Sequence, residues 1–206
     1  PRVLYLPQGA DAWVSMSTLA LGDLDGDGDL DLSVPGLHGG VGQYGAGPPP
    51  GAPDLLFRND DGIYNQQPSL GTEQPGMSQL ALFTDRDDDG DLDLFMGADL
   101  PHPQYPPTSF WRNDGGGWPQ LEDDAAAIGA AHRAQVMGAA SWDRNGDGAL
   151  DYCFTVIGPV LCLQSSPQGY VDTTATSRLV PDDHPEPLKW TGWSIEAEDF
   201  DHDGVI

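Results

Sequence analysis

The sequence predicts an all-β fold built from tandem units of four antiparallel strands. Three observations carry this expectation. An acidic loop punctuated by glycine recurs four times in 206 residues. Apolar and polar residues alternate on both sides of each loop, the period of a strand with one buried face. A second pattern, an aromatic residue, a turn and another aromatic residue, recurs out of phase with the first.

The first loop lies in the stretch GDLDGDGDLDLSV, from Gly22 to Val34. The others read DRDDDGDLD (Asp85 to Asp93), DRNGDGALD (Asp143 to Asp151) and DFDHDGVI (Asp199 to Ile206). Aligned, they share D-x-[DN]-x-D-G-x-[LVI]-D, and the last aspartate is missing from the fourth copy. Gly28, Gly90, Gly148 and Gly204 hold the sixth position. Carboxylates crowded this closely repel one another. A solvated acidic loop needs no common register, so the pattern implies a bound cation.

Oxygen-only ligands at positions 1, 3 and 5 of a tight loop suit Ca²⁺, and glycine at position 6 permits the sharp turn. Mg²⁺ fits less well, because it dehydrates reluctantly and demands a stricter octahedron. The expected ligands of the first loop are Asp23, Asp25 and Asp27, a backbone carbonyl at Asp29, and Asp31 closing the shell. Asp85, Asp87, Asp89, Asp91 and Asp93 repeat the set. So do Asp143, Asn145, Asp147, Ala149 and Asp151, and then Asp199, Asp201, Asp203 and Val205. The apolar residue at position 8 (Leu30, Leu92, Leu150 or Ile206) is expected to anchor the loop to a core.

An EF-hand shares the first half of this loop but needs a bidentate Glu at position 12 and flanking helices. Position 12 is Val34, Met96 or Phe154 here, and the flanks have period two. Each loop therefore joins two strands. The hairpin pattern supplies two more: VLYLPQGADAWV, LLFRNDDGIYNQ, SFWRNDGGGWPQ and VLCLQSSPQGYV align Tyr5, Phe57, Trp111 and Cys162, then Trp13, Tyr64, Trp118 and Tyr170. The loops recur about every 56–62 residues, a period that signals a repeat architecture. Tandem four-stranded antiparallel units most readily form the blades of a β-propeller. The expected blades cover about 16–67, 76–122 and 135–173, with a half blade over 2–15 and the start of another over 190–206. With no initiator Met and an unfinished last loop, the chain reads as a partial propeller, one window of a longer protein.

These residues resemble the FG-GAP/VCBS family of calcium-binding β-propeller repeats, found in integrin α-subunit heads and in many secreted bacterial proteins. The RND hairpins, Arg58 to Tyr64 and Arg112 to Trp118, are similar to the bacterial branch. The resemblance spans nearly the whole chain. It implies a scaffold, and a scaffold of this kind hosts many functions.

Acidic residues outnumber basic ones 33 to 8, for a net charge of −25. Four divalent ions would offset only about 8 of these charges, leaving a surface that repels nucleic acid and anionic membranes. No apolar run approaches the ~20 residues of a membrane helix. Loops of modest Ca²⁺ affinity fill where calcium is near millimolar, which points to an extracellular or cell-surface location. Cys153 and Cys162 fall on neighbouring strands of one blade, within disulfide range or as two free buried thiols.

No catalytic motif is present, and the five histidines (His38, His102, His132, His184 and His202) read as solvated loop residues. Trp190 and Trp193 read as core at a strand entry, with stacking on a sugar ring as the alternative. The connections opposite the acidic loops, Pro35 to Pro53, Ala98 to Thr108 and Pro181 to Pro187, vary in length and chemistry. They are the expected recognition face for a protein or glycan, with Tyr44 and Tyr105 as exposed aromatic anchors. The expected function is non-enzymatic adhesion or recognition. The alternative is the propeller domain of a secreted, for example polysaccharide-active, enzyme whose catalytic residues lie outside this sequence.

Overall fold

The computed structural model describes residues 14–15, 18–39, 51–68, 77–99, 105–118, 120–179, 191–202 and 206. Its strands form three four-stranded antiparallel sheets and one two-stranded pair. β1 (Val14–Ser15) and β2 (Ala20–Gly22) precede the first acidic loop, and β3 (Asp31–Val34) follows it. After β4 (His38–Gly39), which pairs with β1, come β5 (Leu55–Asp60) and β6 (Ile63–Gln66). The first sheet has the order β2-β3-β5-β6.

The second sheet runs β7 (Ser78–Thr84), β8 (Asp93–Ala98), β9 (Ser109–Arg112) and β10 (Glu122–Asp123). The third runs β11 (Gly138–Trp142), β12 (Asp151–Thr155), β13 (Leu161–Ser166) and β14 (Gly169–Asp172). In every four-stranded sheet the acidic loop joins strands one and two; a two-residue turn joins strands three and four in the first and third sheets, and residues 113–121 join them in the second. An up-and-down order puts those two connections at the same end, as the sequence predicts.

The sheets stack face to face. Leu24 and Leu56 of the first unit pack with Ala81, Leu94, Met96 and Trp111 of the second. Phe95 and Phe110 of the second meet Tyr152, Phe154 and Leu163 of the third. The Phe95 ring lies 4.8 Å from Phe110 and 4.7 Å from Phe154 by centroid. Phe110 meets Tyr152 edge-on at 5.1 Å, a favoured aromatic geometry. Buried Thr84 and Tyr152 share a hydrogen bond of 2.8 Å between the second and third sheets. The second strands β3, β8 and β12 are buried along their whole length, while the fourth strands β6 and β10 carry mostly exposed residues. That gradient is the one expected where apolar inner strands are covered and polar outer edges resist pairing with another chain. The first strands adjoin in series, β2 beside β7 and β7 beside β11.

Several expectations need correction. In the second sheet the last strand is Glu122–Asp123 and not the segment around Trp118, because Gly115, Gly116 and Gly117 all take positive φ and widen the turn. In the third, Leu163 and not Cys162 holds the place of Phe57 and Trp111: it pairs with Tyr152 as they pair with Leu32 and Leu94. Tyr105 is 4% exposed, with its carbonyl accepting from Arg133 Nη1 at 2.6 Å, so it packs inward and presents no surface anchor. Trp193 is 69% exposed, so it is not core among the described residues. The strand expected within 190–206 does not form over 191–202; its backbone makes one bridge, Thr191 to Ile157, and a strand without a ladder partner is not held. Leu30 is 50% exposed. Leu92 and Leu150 pack into the apolar layers shared with the preceding four-stranded sheet, and no described four-stranded sheet precedes that of Leu30. The half blade over 2–15 (apart from 14–15), Tyr44, His102, His184 and Trp190 lie outside the described residues, as do the connections over 40–50, 100–104 and 181–187.

Cys153 and Cys162 stand directly opposite each other on β12 and β13 and are bridged, with Cα atoms 4.2 Å apart. Closing so short a loop stabilises by about 2–3 kcal/mol in the chain-entropy model. Reduction is therefore expected to lower the melting temperature, and alkylation before and after reduction, read by mass spectrometry, is expected to show two masked thiols.

Asp54 links the first two units. Its buried carboxylate accepts from Gly36 N–H at 2.9 Å and from the Ser78 hydroxyl at 3.1 Å. Burial raises its pKa to about 6. The folded state thus favours the protonated acid, and stability present below the unfolded pKa is lost as pH rises through the folded one. Asp54→Asn keeps an acceptor for Gly36 without the charge. Its stability advantage over the parent is expected to grow between about pH 4 and pH 6 and then level off, reaching about 3 kcal/mol in denaturant titrations. A pH-independent difference would contradict this.

Candidate metal centre

The three described acidic loops share one backbone solution. Position 1 folds back on its own turn: the Asp23 carboxylate accepts from Asp27 N–H at 3.1 Å and Gly28 N–H at 3.0 Å. Asp85 does the same with Asp89 and Gly90 at 3.2 and 3.1 Å. Asp143 accepts from Asp147 and Gly148 at 3.1 and 2.8 Å, and these bonds, led by Gly148, hold its pKa down. Position 5 then receives the N–H of position 7, at Asp27, Asp89 and Asp147. Position 6 takes φ of +94°, +95° and +89°. Position 4 is left-handed as well: Gly26, Asp88, Gly146 and His202 of the fourth loop have φ of 72°, 58°, 76° and 59°. Sequence reasoning passed over this position. Its signal is the run of Gly and Asp there, residue types that tolerate that conformation.

The fold brings Asp23, Asp25 and Asp27 together, with one carboxylate oxygen of each within 4.8 Å of the others; Asp85, Asp87 and Asp89 do likewise. Oxygens on opposite sides of a Ca²⁺ ion stand about 4.6–5.2 Å apart, so either triad could hold one divalent cation. In the third loop Asn145 supplies an amide oxygen beside Asp143 and Asp147, and its Nδ2 donates to Asp147 at 2.9 Å. Burial, with repulsion from the next aspartate second, raises the pKa of Asp25 and of Asp87. Position 7 reaches sideways: Asp29 accepts from Asp61 N–H at 2.7 Å, and Asp91 lies against Gly115 where a Cβ would collide. Ala149 has no such arm. Of the fourth loop, Asp199 and Asp201 are described, while Asp203 and Val205 lie outside the described residues.

Position 9 has a structural part that the sequence reading did not foresee. Asp31, Asp93 and Asp151 are fully buried. Each accepts one N–H from loop position 2 and another from the third strand or its end. Asp31 holds Leu24 and Asn59 at 2.9 and 2.8 Å. Asp93 holds Arg86 and Asn113 at 3.0 and 2.8 Å. Asp151 holds Arg144 and Ser165 at 3.1 and 2.8 Å. Burial is the leading cause that raises all three pKa values, that of Asp93 to about 6.

The asparagines of the RND hairpins were also missed as bracing residues. Asn59 Nδ2 donates to Leu30 O at 3.0 Å, and its Oδ1 accepts from Gly62 N–H at 2.8 Å. Asn113 Nδ2 donates to Leu92 O at 3.1 Å within its own unit and to Leu24 O of the first loop at 2.9 Å. The recurrence of Arg-Asn-Asp in two hairpins was the available signal.

Compared with known proteins, the chain matches no protein-family model and no curated protein.

The buried clasp yields a direct expectation. Asp151→Ala removes the acceptor of two part-buried N–H groups, each worth about 1–3 kcal/mol when left unpaired. Urea unfolding in chelator should show a loss of about 2–5 kcal/mol, with Asp151→Asn intermediate because its amide oxygen still accepts. A loss seen only when calcium is added would mean that Asp151 acts through an ion and not through the clasp.

Proposed function

We propose that this chain is part of an extracellular, calcium-stabilised β-propeller of the FG-GAP/VCBS type, serving adhesion or recognition of a protein or glycan and performing no chemistry itself. The observation that carries the reading is that three loops of one geometry sit at the same end of three stacked four-stranded sheets. First strands adjoining in series are what blades around a common axis require. Oxygen-only donors favour a hard cation, and the aspartate-glycine turn favours Ca²⁺ over Mg²⁺. The Cys153–Cys162 bridge supports an oxidising compartment. Among the described residues no helix is long and apolar enough to cross a membrane. Recognition is assigned to the connections at the end opposite the acidic loops, where units differ most in length and composition.

In this reading calcium acts chiefly by mass action on the folded state, adding about 2.7 kcal/mol at a hundredfold excess over Kd. Melting temperatures are expected to rise with Ca²⁺, to rise less with Mg²⁺ and to fall in chelator. Asp87→Ala is expected to remove one ion from the binding stoichiometry. Identical melts with Ca²⁺ and with chelator would sink the calcium reading.

A further inference from the structure

Three equivalent positions, one before the residue whose N–H is held by the buried aspartate, carry Arg58, Arg112 and Gln164. The two arginines behave differently. Arg58 Nε lies 3.2 Å from Asp25 Oδ2, and Nη2 lies 3.6 Å from Asp27 Oδ2. Its guanidinium thus sits on two of the three carboxylates of the first triad. Arg112 pairs within its own hairpin region, with Nε 3.1 Å from Asp114 and Nη2 3.7 Å from Glu122.

The cause is the cross-strand partner. Glu122 stands directly opposite Arg112 in the ladder, whereas Asn65 stands opposite Arg58. Both arginines have an aspartate two residues on: Asp60 lies 2.9 Å from Arg58 Nε, the counterpart of Asp114. Only Arg112 gains a second acid from its own hairpin. Arg58 finds its remaining counter-charge in the acidic loop. Gln164 brings no charge at all.

The second loop has a neighbouring cation of another kind. Arg86 is anchored on Asp124 at 3.0 Å and lies 5.8 Å over the Phe110 ring. It approaches Asp87 at 3.8 Å and the buried Asp93 of position 9 at 3.7 Å, so it touches one carboxylate of the triad where Arg58 touches two. Arg144 of the third loop donates to Thr173 Oγ1 at 2.9 Å, away from the loop carboxylates.

We propose that Arg58 is a built-in competitor for the divalent cation at the first loop, neutralising Asp25 and Asp27 in the ion-free protein and holding this loop's affinity below that of the second. The inference rests on the reading of the loops as divalent-cation sites and adds to it a residue that ranks them. An entering ion must take Asp25 and Asp27 from the guanidinium, and the displaced cation then remains a close like charge. At the second loop an ion meets Arg86 at a single triad carboxylate, Asp87, and at Asp93, and among the described residues no ion pair bridges two carboxylates of that triad. The side chain of Arg58 is about one-third exposed, so it can swing to solvent without disturbing the core.

The test is calorimetric titration of Ca²⁺ into the whole chain and into its Arg58→Gln, Arg58→Lys and Arg112→Gln variants, with Asp25→Ala marking which transition belongs to the first loop. Arg58→Gln is expected to tighten the first-loop site about tenfold and leave the others unchanged. Arg58→Lys, which keeps the charge, is expected to stay near the parent, and Arg112→Gln is expected to change no site comparably. Melting curves add an independent readout: Arg58→Gln should melt below the parent in chelator and show the larger gain with Ca²⁺. Parent-like or weaker first-loop affinity in Arg58→Gln, with other sites binding normally, overturns the proposal. Absence of any Ca²⁺ binding in the parent overturns the cation reading itself, and this proposal with it.

Discussion

The buried aspartate at loop position 9 is the interaction on which the rest of the fold depends. It is the first residue of the second strand in each sheet, fully covered, and its two oxygens hold N–H groups from two different segments. One belongs to the acidic loop and the other to the end of the third strand. A carboxylate accepts such bonds with about twice the strength of a neutral acceptor. The loop mouth and the neighbouring hairpin are thereby fixed to the strand that carries the core. Leu32, Leu94 and Tyr152 follow directly on these aspartates and are buried. A clasp that slipped by one residue would turn every one of them to the wrong face.

Packing between sheets then follows from loop position 2, whose N–H the clasp holds. Its side chain differs each time. Leu24 enters the apolar layer between the first and second sheets. Arg86 pairs with Asp124, next after β10, and lies over the Phe110 ring of β9, which itself packs on Tyr152 of the third sheet. Asn113 works in the reverse direction, reaching from the second hairpin back to the first loop's Leu24 carbonyl. Adjacent units are therefore joined both by apolar surface and by hydrogen bonds anchored on the acidic loops. Ordering one loop fixes part of its neighbour.

Much of this was legible in the sequence. The loop register, the period-two flanks and the four-strand unit all arise from local chemistry that repeats, and the observed sheets follow the expected order. What was not legible depends on partners far away in the chain. Nothing near Asp31, Asp93 or Asp151 distinguishes a carboxylate facing an ion from one facing two backbone N–H groups, because both demand the same residue. The Cys162 alignment failed by one position because the third hairpin turns on Pro167 and Gln168 and lacks the Asp-Gly that marks the first. Tyr105 fits a surface anchor by its residue type and its place on a variable connection, yet it is buried and Arg133, 28 residues on, ties its backbone inward. The RND motif was visible, but its roles were not, since its arginine and asparagine act on loops up to 89 residues away.

The acidic loops also show how a chain of such charge tolerates its own repulsion. Backbone N–H groups take up part of the negative charge at positions 1 and 5, and the same bonds recur whether or not a basic side chain is near. The loop conformation is thus supported at each repeat by the same amide donors and left-handed turns. The remaining difference between the loops lies in what else neutralises the triad. On the first it is a guanidinium shared by two triad carboxylates; on the second the nearest arginine is held closest by Asp124, lies over an aromatic face and reaches only one triad carboxylate, besides the buried Asp93. Repeats that share one backbone can in this way be graded through residues lying outside the loop motif.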